Sequence, residues 1–189
     1  MGRCDVSYSY EALEGYNVVI SGGNVTLTSR DDGINATASS GTGVRITGDQ
    51  LYVYAGGDGI DSNSRSSYTG ISFEGGDVLV VSTSGGNFAI DTEFGYSYTG
   101  GRVLALMPTN AMWNESTHCQ NFSNVSTTAN VTLTSGKILT LKAGSSVVLT
   151  HKLKTGMSAT AIYLGSSSAT LTVADSTGKS LDSFGNRWE

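Results

Sequence analysis

DDGIN at residues 31–35 recurs as GDGID at residues 57–61 and, in part, as FAID at residues 88–91. The isoleucines of these three copies lie 26 and then 30 residues apart. A repeat this short cannot bury an apolar face on its own, so successive copies must stack and share one core. The repeat therefore predicts a solenoid.

Two apolar strands precede each copy of the motif. A Gly-Gly or Gly-Asp corner separates them in VVISGGNVTL (18–27), VRITGDQLYV (44–53) and ISFEGGDVLV (71–80). Their apolar and polar residues alternate with a period of two, which indicates strands. The connections leave no room for crossover helices, and parallel crossovers are almost always right-handed. We therefore predict an all-β fold, a right-handed parallel β-helix.

Two other all-β folds fit the sequence less well. A β-sandwich also has short strands and frequent turns, but it would not repeat the same glycine and Asp-Gly-Ile positions. A calcium β-roll repeats every nine residues and places a large apolar residue where this chain has Asn63. Both alternatives are disfavoured.

The chain is long enough for one domain, which we divide into three parts. Residues 1–106 are assigned to the coils, residues 107–136 to an irregular loop rich in Asn-x-Ser/Thr sequons, and residues 137–189 to a β-rich C-terminal cap. An open solenoid end exposes backbone and core, so a cap is required. The first coil begins without one, so we expect an N-terminally truncated chain.

Composition excludes several kinds of partner. The net charge of −5 disfavours binding to a nucleic-acid backbone. No apolar run approaches the roughly 20 residues that a membrane span needs. We therefore expect neither nucleic-acid binding nor membrane insertion, and we expect a monomer.

The repeat also aligns acidic and amide side chains. In a coil, equivalent residues lie above one another at about 4.8 Å. Such closely stacked carboxylates repel one another unless a cation compensates, and Ca²⁺ takes oxygen ligands of this kind. An alternative is that these residues only form turns, which Asp-Gly favours. The candidate Ca²⁺ ligands are Asp31, Asp32, Asn35, Asp58, Asp61 and Asp91.

Four stretches, EALEG (11–15), SRDDGINA (29–36), GDGIDSN (57–63) and AID (89–91), resemble a known family. It is the bacterial carbohydrate-binding β-helix family typified by a clostridial pectate- and cellulose-binding surface protein. The resemblance covers roughly residues 10–106 and departs at Phe88, where an aspartate is expected. It implies a calcium-bearing β-helix that binds acidic polysaccharide, pectin-like and possibly cellulose, at the cell surface or outside the cell.

Catalysis by the predicted calcium site is disfavoured. A polysaccharide lyase needs a lysine or arginine beside the calcium ion to remove a proton. The chain has no lysine before Lys137, and Arg30, Arg45 and Arg65, which could serve, more commonly pair with a substrate carboxylate. Carboxylates that hold calcium also make poor general acids. We therefore predict calcium-dependent binding without catalysis, with a pectate lyase or an adhesin-like structural stalk as the alternatives.

Aromatic and basic residues near the predicted calcium ligands are candidates for contact with sugar. Tyrosine rings can stack on sugar rings, and arginine pairs with carboxylates. Tyr52 and Tyr54 alternate with inward residues, so their side chains are predicted to point outward, although tyrosines also suit strand packing. The predicted carbohydrate contacts are Tyr52, Tyr54, Arg30, Arg65 and Tyr96.

Overall fold

A computed structural model describes residues 2–63, 70–93, 95–110, 119–120, 125–176, 178, 180–182 and 185–189. These residues form strands, turns and bends without any helix. Accordingly, no helix in the described ranges is long and apolar enough to cross a membrane.

Three parallel sheets form the sides of the coil, and the chain visits them in the same order on each turn. Sheet A begins with β1 (Arg3–Ser9), β4 (Asn24–Ser29), β7 (Gln50–Ala55), β10 (Asp77–Ser82) and β13 (Arg102–Pro108). Sheet B contains β2 (Leu13–Gly15), β5 (Ile34–Ala36), β8 (Ile60–Ser62) and β11 (Ile90–Thr92). Sheet C contains β3 (Val18–Ile20), β6 (Val44–Ile46), β9 (Ile71–Phe73), β12 (Tyr96–Tyr98) and β14 (Cys119–Gln120).

The core of the coil consists of ladders of identical or similar side chains. Ile34 pairs with Ile60, and Ile60 pairs with Ile90, in the register that the repeat predicts. All three are almost completely buried and belong to one apolar cluster with residues from all three sheets. The predicted parallel β-helix is therefore confirmed.

The corner between sheets C and A uses one left-handed residue per turn. The backbone φ angle is 88° at Gly23, 54° at Asp49, 85° at Gly76 and 89° at Gly101. Glycine suits this conformation because it has no Cβ, and aspartate is among the residues that tolerate it. Asp49 also accepts a hydrogen bond of 2.6 Å from the Gly23 N–H, which ties two turns together.

The C-terminal cap ends the coil by reversing the strand direction. Its strands are β15 (Val125–Leu133), β16 (Ile138–Ala143), β17 (Ser146–Lys152), β18 (Met157–Gly165), β19 (Ala169–Ala174) and β20 (Asn186–Trp188). β18 pairs antiparallel with β13, and β15 pairs with β18, so both extend sheet A. The other four strands form a separate antiparallel sheet D. The predicted cap is confirmed.

The assignment of residues 107–136 to an irregular loop is wrong in part. β13 continues to Pro108, and residues 125–133 form a nine-residue strand. Five of its nine residues are Val or Thr, and β-branched residues favour strands. Its abundant Asn, Ser and Thr resembled a loop in sequence, whereas pairing along the whole of β18 fixes it as a strand.

The cap also covers the outer face of sheet A. Leu79 and Leu104 on that face belong to a second apolar cluster with Leu139 and Leu149 of sheet D. Arg102 fixes the end of the chain: its guanidinium pairs with both oxygens of Asp77 and lies 5.0 Å from the centre of the Trp188 ring. The central strands β7, β10 and β13 of sheet A are therefore buried on both of their faces.

A buried histidine joins the cap to the coil. The His151 imidazole accepts a hydrogen bond from the Tyr54 hydroxyl and donates one to the Asn186 side-chain oxygen, which is the pattern of a neutral ring. The pKa of His151 is lowered to about 4, mainly because the ring is buried. The hydrogen bond with Asn186 opposes this shift, and the charge of the nearby Lys154 ammonium adds to it. The ring is fully buried.

Acid is expected to weaken this junction. Because the folded-state pKa lies below the unfolded value of about 6.5, this contribution to stability is complete above pH 6.5. It is lost as the pH falls through about 4, and amounts to about 3 kcal/mol in all. Denaturant unfolding at several pH values should show this loss in the wild type and not in His151→Gln. Parallel pH profiles for the two proteins would contradict the assignment.

Candidate functional site

The acidic edge lies on the outer face of sheet B and on the turns that lead into it. We use this name for two rows of side chains. The first row comprises the residues just after the inward position of each strand: Glu14, Asn35, Asp61 and Asp91. The second row comprises the residues two positions before the inward residue of each strand: Glu11, Asp32, Asp58 and Phe88. Asp31, which is adjacent to Asp32, is counted with this row.

The first row has the register that the sequence predicts. Asn35 is the strand partner of Asp61, and Asp61 is the partner of Asp91. Each follows an inward isoleucine, and successive side chains of a strand point to opposite faces, so this row points outward. The prediction that these three residues are vertical neighbours is confirmed.

The second row links successive turns through backbone hydrogen bonds. An Asp32 side-chain oxygen accepts from the N–H of Asp58 at 2.8 Å, and an Asp58 side-chain oxygen accepts from the N–H of Phe88 at 2.6 Å. One oxygen of each carboxylate thus has a structural role. Phe88 ends the row, because its side chain offers no oxygen.

The surroundings disfavour the charged form of carboxylates in both rows. Burial, together with the charges of Asp91, Asp32 and Asp58, raises the pKa of Asp61 to about 7. Burial likewise raises the pKa of Asp58 to about 6 and that of Asp32 above its usual range. Near neutral pH the edge therefore carries partly buried negative charge, and none of these three aspartates forms an ion pair with a lysine or arginine that the structure describes.

Two oxygens of the edge are buried and have no hydrogen-bond partner: Glu11 Oε2 and Asn35 Oδ1. The two side chains touch, since the Asn35 amide N–H donates to Glu11 Oε1 at 3.5 Å. Burial is also the main cause that raises the pKa of Glu11. Buried oxygens without donors fit a bound cation, because a cation is the partner that oxygen atoms alone can coordinate.

The edge is not a compact metal centre. Within the described ranges, no three His, Cys, Asp or Glu side chains converge closely enough to hold a metal ion by themselves. A cation here would need the Asn35 side-chain oxygen, backbone carbonyls or water in addition to carboxylates. Such a mixed set of oxygens, with no nitrogen or sulfur, fits Ca²⁺ and not a transition metal.

Glu11 and Glu14 were missed as candidates in the sequence. They occur in EALEG, which has the spacing of DDGIN with glutamate for aspartate or asparagine, alanine for glycine and leucine for isoleucine. Leu13 pairs with Ile34, and Glu14 with Asn35, so the first turn follows the same pattern. The repeat contains this signal, but it is hidden because residues 11–14 differ from residues 32–35 at all four positions.

Three of the predicted sugar contacts are wrong because their side chains are buried. Tyr52 and Tyr54 do point out of the coil, but sheet D covers them, leaving 2% and 7% of each residue exposed. Tyr96 points into the core, where its ring packs edge-on against Phe73. Arg65 lies outside the described residues. Arg30 is exposed.

Exposed aromatic residues occur instead at the first turn of the coil. Tyr8 is 70% exposed, Tyr10 60% and Tyr16 50%. The guanidinium of Arg30 lies 5.4 Å from the centre of the Tyr10 ring, close to the acidic edge. These tyrosines lack the alternating strand context that drew attention to Tyr52 and Tyr54.

Comparisons with protein-family models, with curated proteins and with solved structures gave no match.

Proposed function

We propose that the protein binds Ca²⁺ along the acidic edge and uses it to hold an acidic polysaccharide of the polygalacturonate type, without catalysis. The observation that carries the proposal is the stacking of Asn35, Asp61 and Asp91 beside the unpaired oxygens of Glu11 and Asn35. A bound cation would stabilise the charged carboxylates, which burial and, to a smaller extent, their mutual repulsion disfavour.

Calcium would also explain how an acidic protein binds an acidic polymer. A Ca²⁺ ion held by the edge can accept further oxygen ligands from uronate carboxylates, because it takes six to eight in all. Calcium-binding modules outside cells have dissociation constants on the order of 10⁻⁴–10⁻³ M. We propose the same range and an extracellular or cell-surface location for this protein.

The edge offers no base suited to lyase chemistry. β2, β5, β8 and β11 contain neither lysine nor arginine. The described arginine nearest the second row, Arg30, lies over the Tyr10 ring. Along these four strands, the proton next to a uronate carboxyl group would therefore meet no lysine or arginine that could remove it, which supports binding without cleavage.

A structural role is the second candidate function. The backbone hydrogen bonds accepted by Asp32 and Asp58 join consecutive turns with no need for a metal. On this interpretation the acidic rows would only strengthen the coil, and the protein would serve as a stalk without sugar specificity.

Retention on immobilised polygalacturonate tests these possibilities. The wild-type protein should be retained with calcium, released by a chelator, and produce no ultraviolet absorbance from an unsaturated product. Asp5→Asn removes one exposed carboxylate outside the edge and should be retained like the wild type. Product formation would identify a lyase, and absence of retention together with absence of calcium binding would favour the stalk.

A further inference from the structure

Tyr10 occupies the turn between β1 and β2, immediately before Glu11 of the acidic edge. Its backbone is part of the coil, because the Tyr10 carbonyl accepts a hydrogen bond of 2.9 Å from the Asp31 N–H. The Asp31 carboxylate near the phenol is the main cause that raises the pKa of Tyr10. The ring is thus fixed beside the edge while 60% of the residue remains exposed.

Arg30 provides a positive charge at the same place. Its guanidinium lies over the Tyr10 ring and has no carboxylate within ion-pair distance among the residues that the structure describes. The next turn has glycines at this corner: a Cβ on Gly56 would lie 2.1 Å from the Arg30 carbonyl oxygen, and one on Gly57 would lie 2.5 Å from an Asp31 side-chain oxygen. No side chain from that corner can therefore cover Arg30.

We propose that Tyr10 and Arg30 form a subsite for one uronate residue of the bound polysaccharide. The sugar ring packs on the exposed part of the Tyr10 ring, and its carboxylate pairs with the guanidinium of Arg30. Tyrosine supplies a flat apolar surface, and the planar guanidinium matches a carboxylate with two parallel hydrogen bonds.

This subsite rests on the proposed function and specifies its substrate class. A neutral glucan could pack on Tyr10 but would leave Arg30 without a partner, so the subsite selects chains that carry carboxylates. Arg30 also offsets the local negative charge at the place where calcium is not the direct partner of the sugar.

Binding of an oligogalacturonate, measured by calorimetry at saturating calcium, tests the subsite. Tyr10→Ala and Arg30→Ala should each bind about tenfold more weakly than the wild type, while Tyr10→Phe should bind within about twofold. Tyr16→Ala removes another exposed tyrosine, one that hydrogen-bonds to Ser39 on a different corner, and should not change the affinity. A neutral cello-oligosaccharide should bind all five proteins weakly.

The outcomes separate the subsite from the proposed function. Binding by Tyr10→Ala as tight as that of the wild type would overturn the subsite and leave calcium-dependent binding intact. A loss in Tyr10→Phe as large as in Tyr10→Ala would also overturn it, because the effect would then act through the hydroxyl and Asp31. Failure of the wild type to bind the oligogalacturonate would instead reject the proposed function.

Discussion

Gly59→Ala is expected to lower the free energy of unfolding by at least about 3 kcal/mol. A Cβ at this position would lie 2.2 Å from Val80 Cγ1 and 2.5 Å from the Ala89 carbonyl oxygen. The side chain of Val80 can move only at the cost of core packing, and the carbonyl belongs to the adjacent strand. Both contacts must shift before an alanine fits.

The third copy of the motif explains why alanine is acceptable at Ala89. Val53, Val80 and Ala105 are successive partners on sheet A, so the residue that would crowd Ala89 is itself small. β11 is also the last strand of sheet B in the described chain, so no further carbonyl stacks above Ala89.

Denaturant unfolding of single and double variants checks this account. Gly15→Ala is the matched control, because its nearest contact would be an ordinary 3.4 Å to the Asn17 carbonyl oxygen. In Gly59→Ala/Val80→Ala the two losses should be less than additive, since removing the valine methyl groups relieves one of the two clashes. Wild-type stability in Gly59→Ala would show that the coil spacing is looser than described.

Asp61→Asn is expected to have opposite effects without and with calcium. Without calcium at about pH 8, it should raise the free energy of unfolding by about 2 kcal/mol. A carboxyl group whose folded-state pKa is about 7 stabilises the fold only while it is protonated. This contribution is complete below the unfolded pKa near 4 and is lost as the pH rises through about 7. Asparagine never ionises, so the variant avoids that loss.

In saturating calcium, the wild type should instead be more stable than Asp61→Asn. A ligand at about 100 times its dissociation constant stabilises the folded state by about 2.7 kcal/mol, and the variant lacks one of the charged ligands that would provide this gain. Unfolding in chelator and in saturating calcium measures both effects on the same sample. Asp5→Asn should change neither by more than about 0.5 kcal/mol. An undiminished calcium gain in Asp61→Asn would place the metal elsewhere.

The fold and the register of the first row could be predicted because the repeat records them directly. An inward isoleucine followed by Asn or Asp occurs in each copy, and stacking converts that position into a row. The same logic places Tyr96 and Tyr98 opposite Ile71 and Phe73, as core residues of β12. The prediction of Tyr96 as a sugar contact instead places it in or near a loop at the coil surface, and this is why it fails.

The burial of Tyr52 and Tyr54 could not be predicted from local pattern. Alternation along β7 correctly indicates that these side chains point away from the core of the coil. It does not indicate what lies beyond them, since the covering strands β16 and β17 are about 90 residues away in sequence and have no repeat in common with the coil. Contacts of this kind depend on tertiary packing, which a period of two cannot encode.

The second apolar cluster has a consequence for biosynthesis. The strands that form the outer face of sheet A leave the ribosome before the residues that cover it. Until Leu139, Leu149 and their neighbours emerge, the nascent coil exposes an apolar stripe that contains Leu79 and Leu104. Chaperone capture and premature association during translation should therefore concentrate on that stripe.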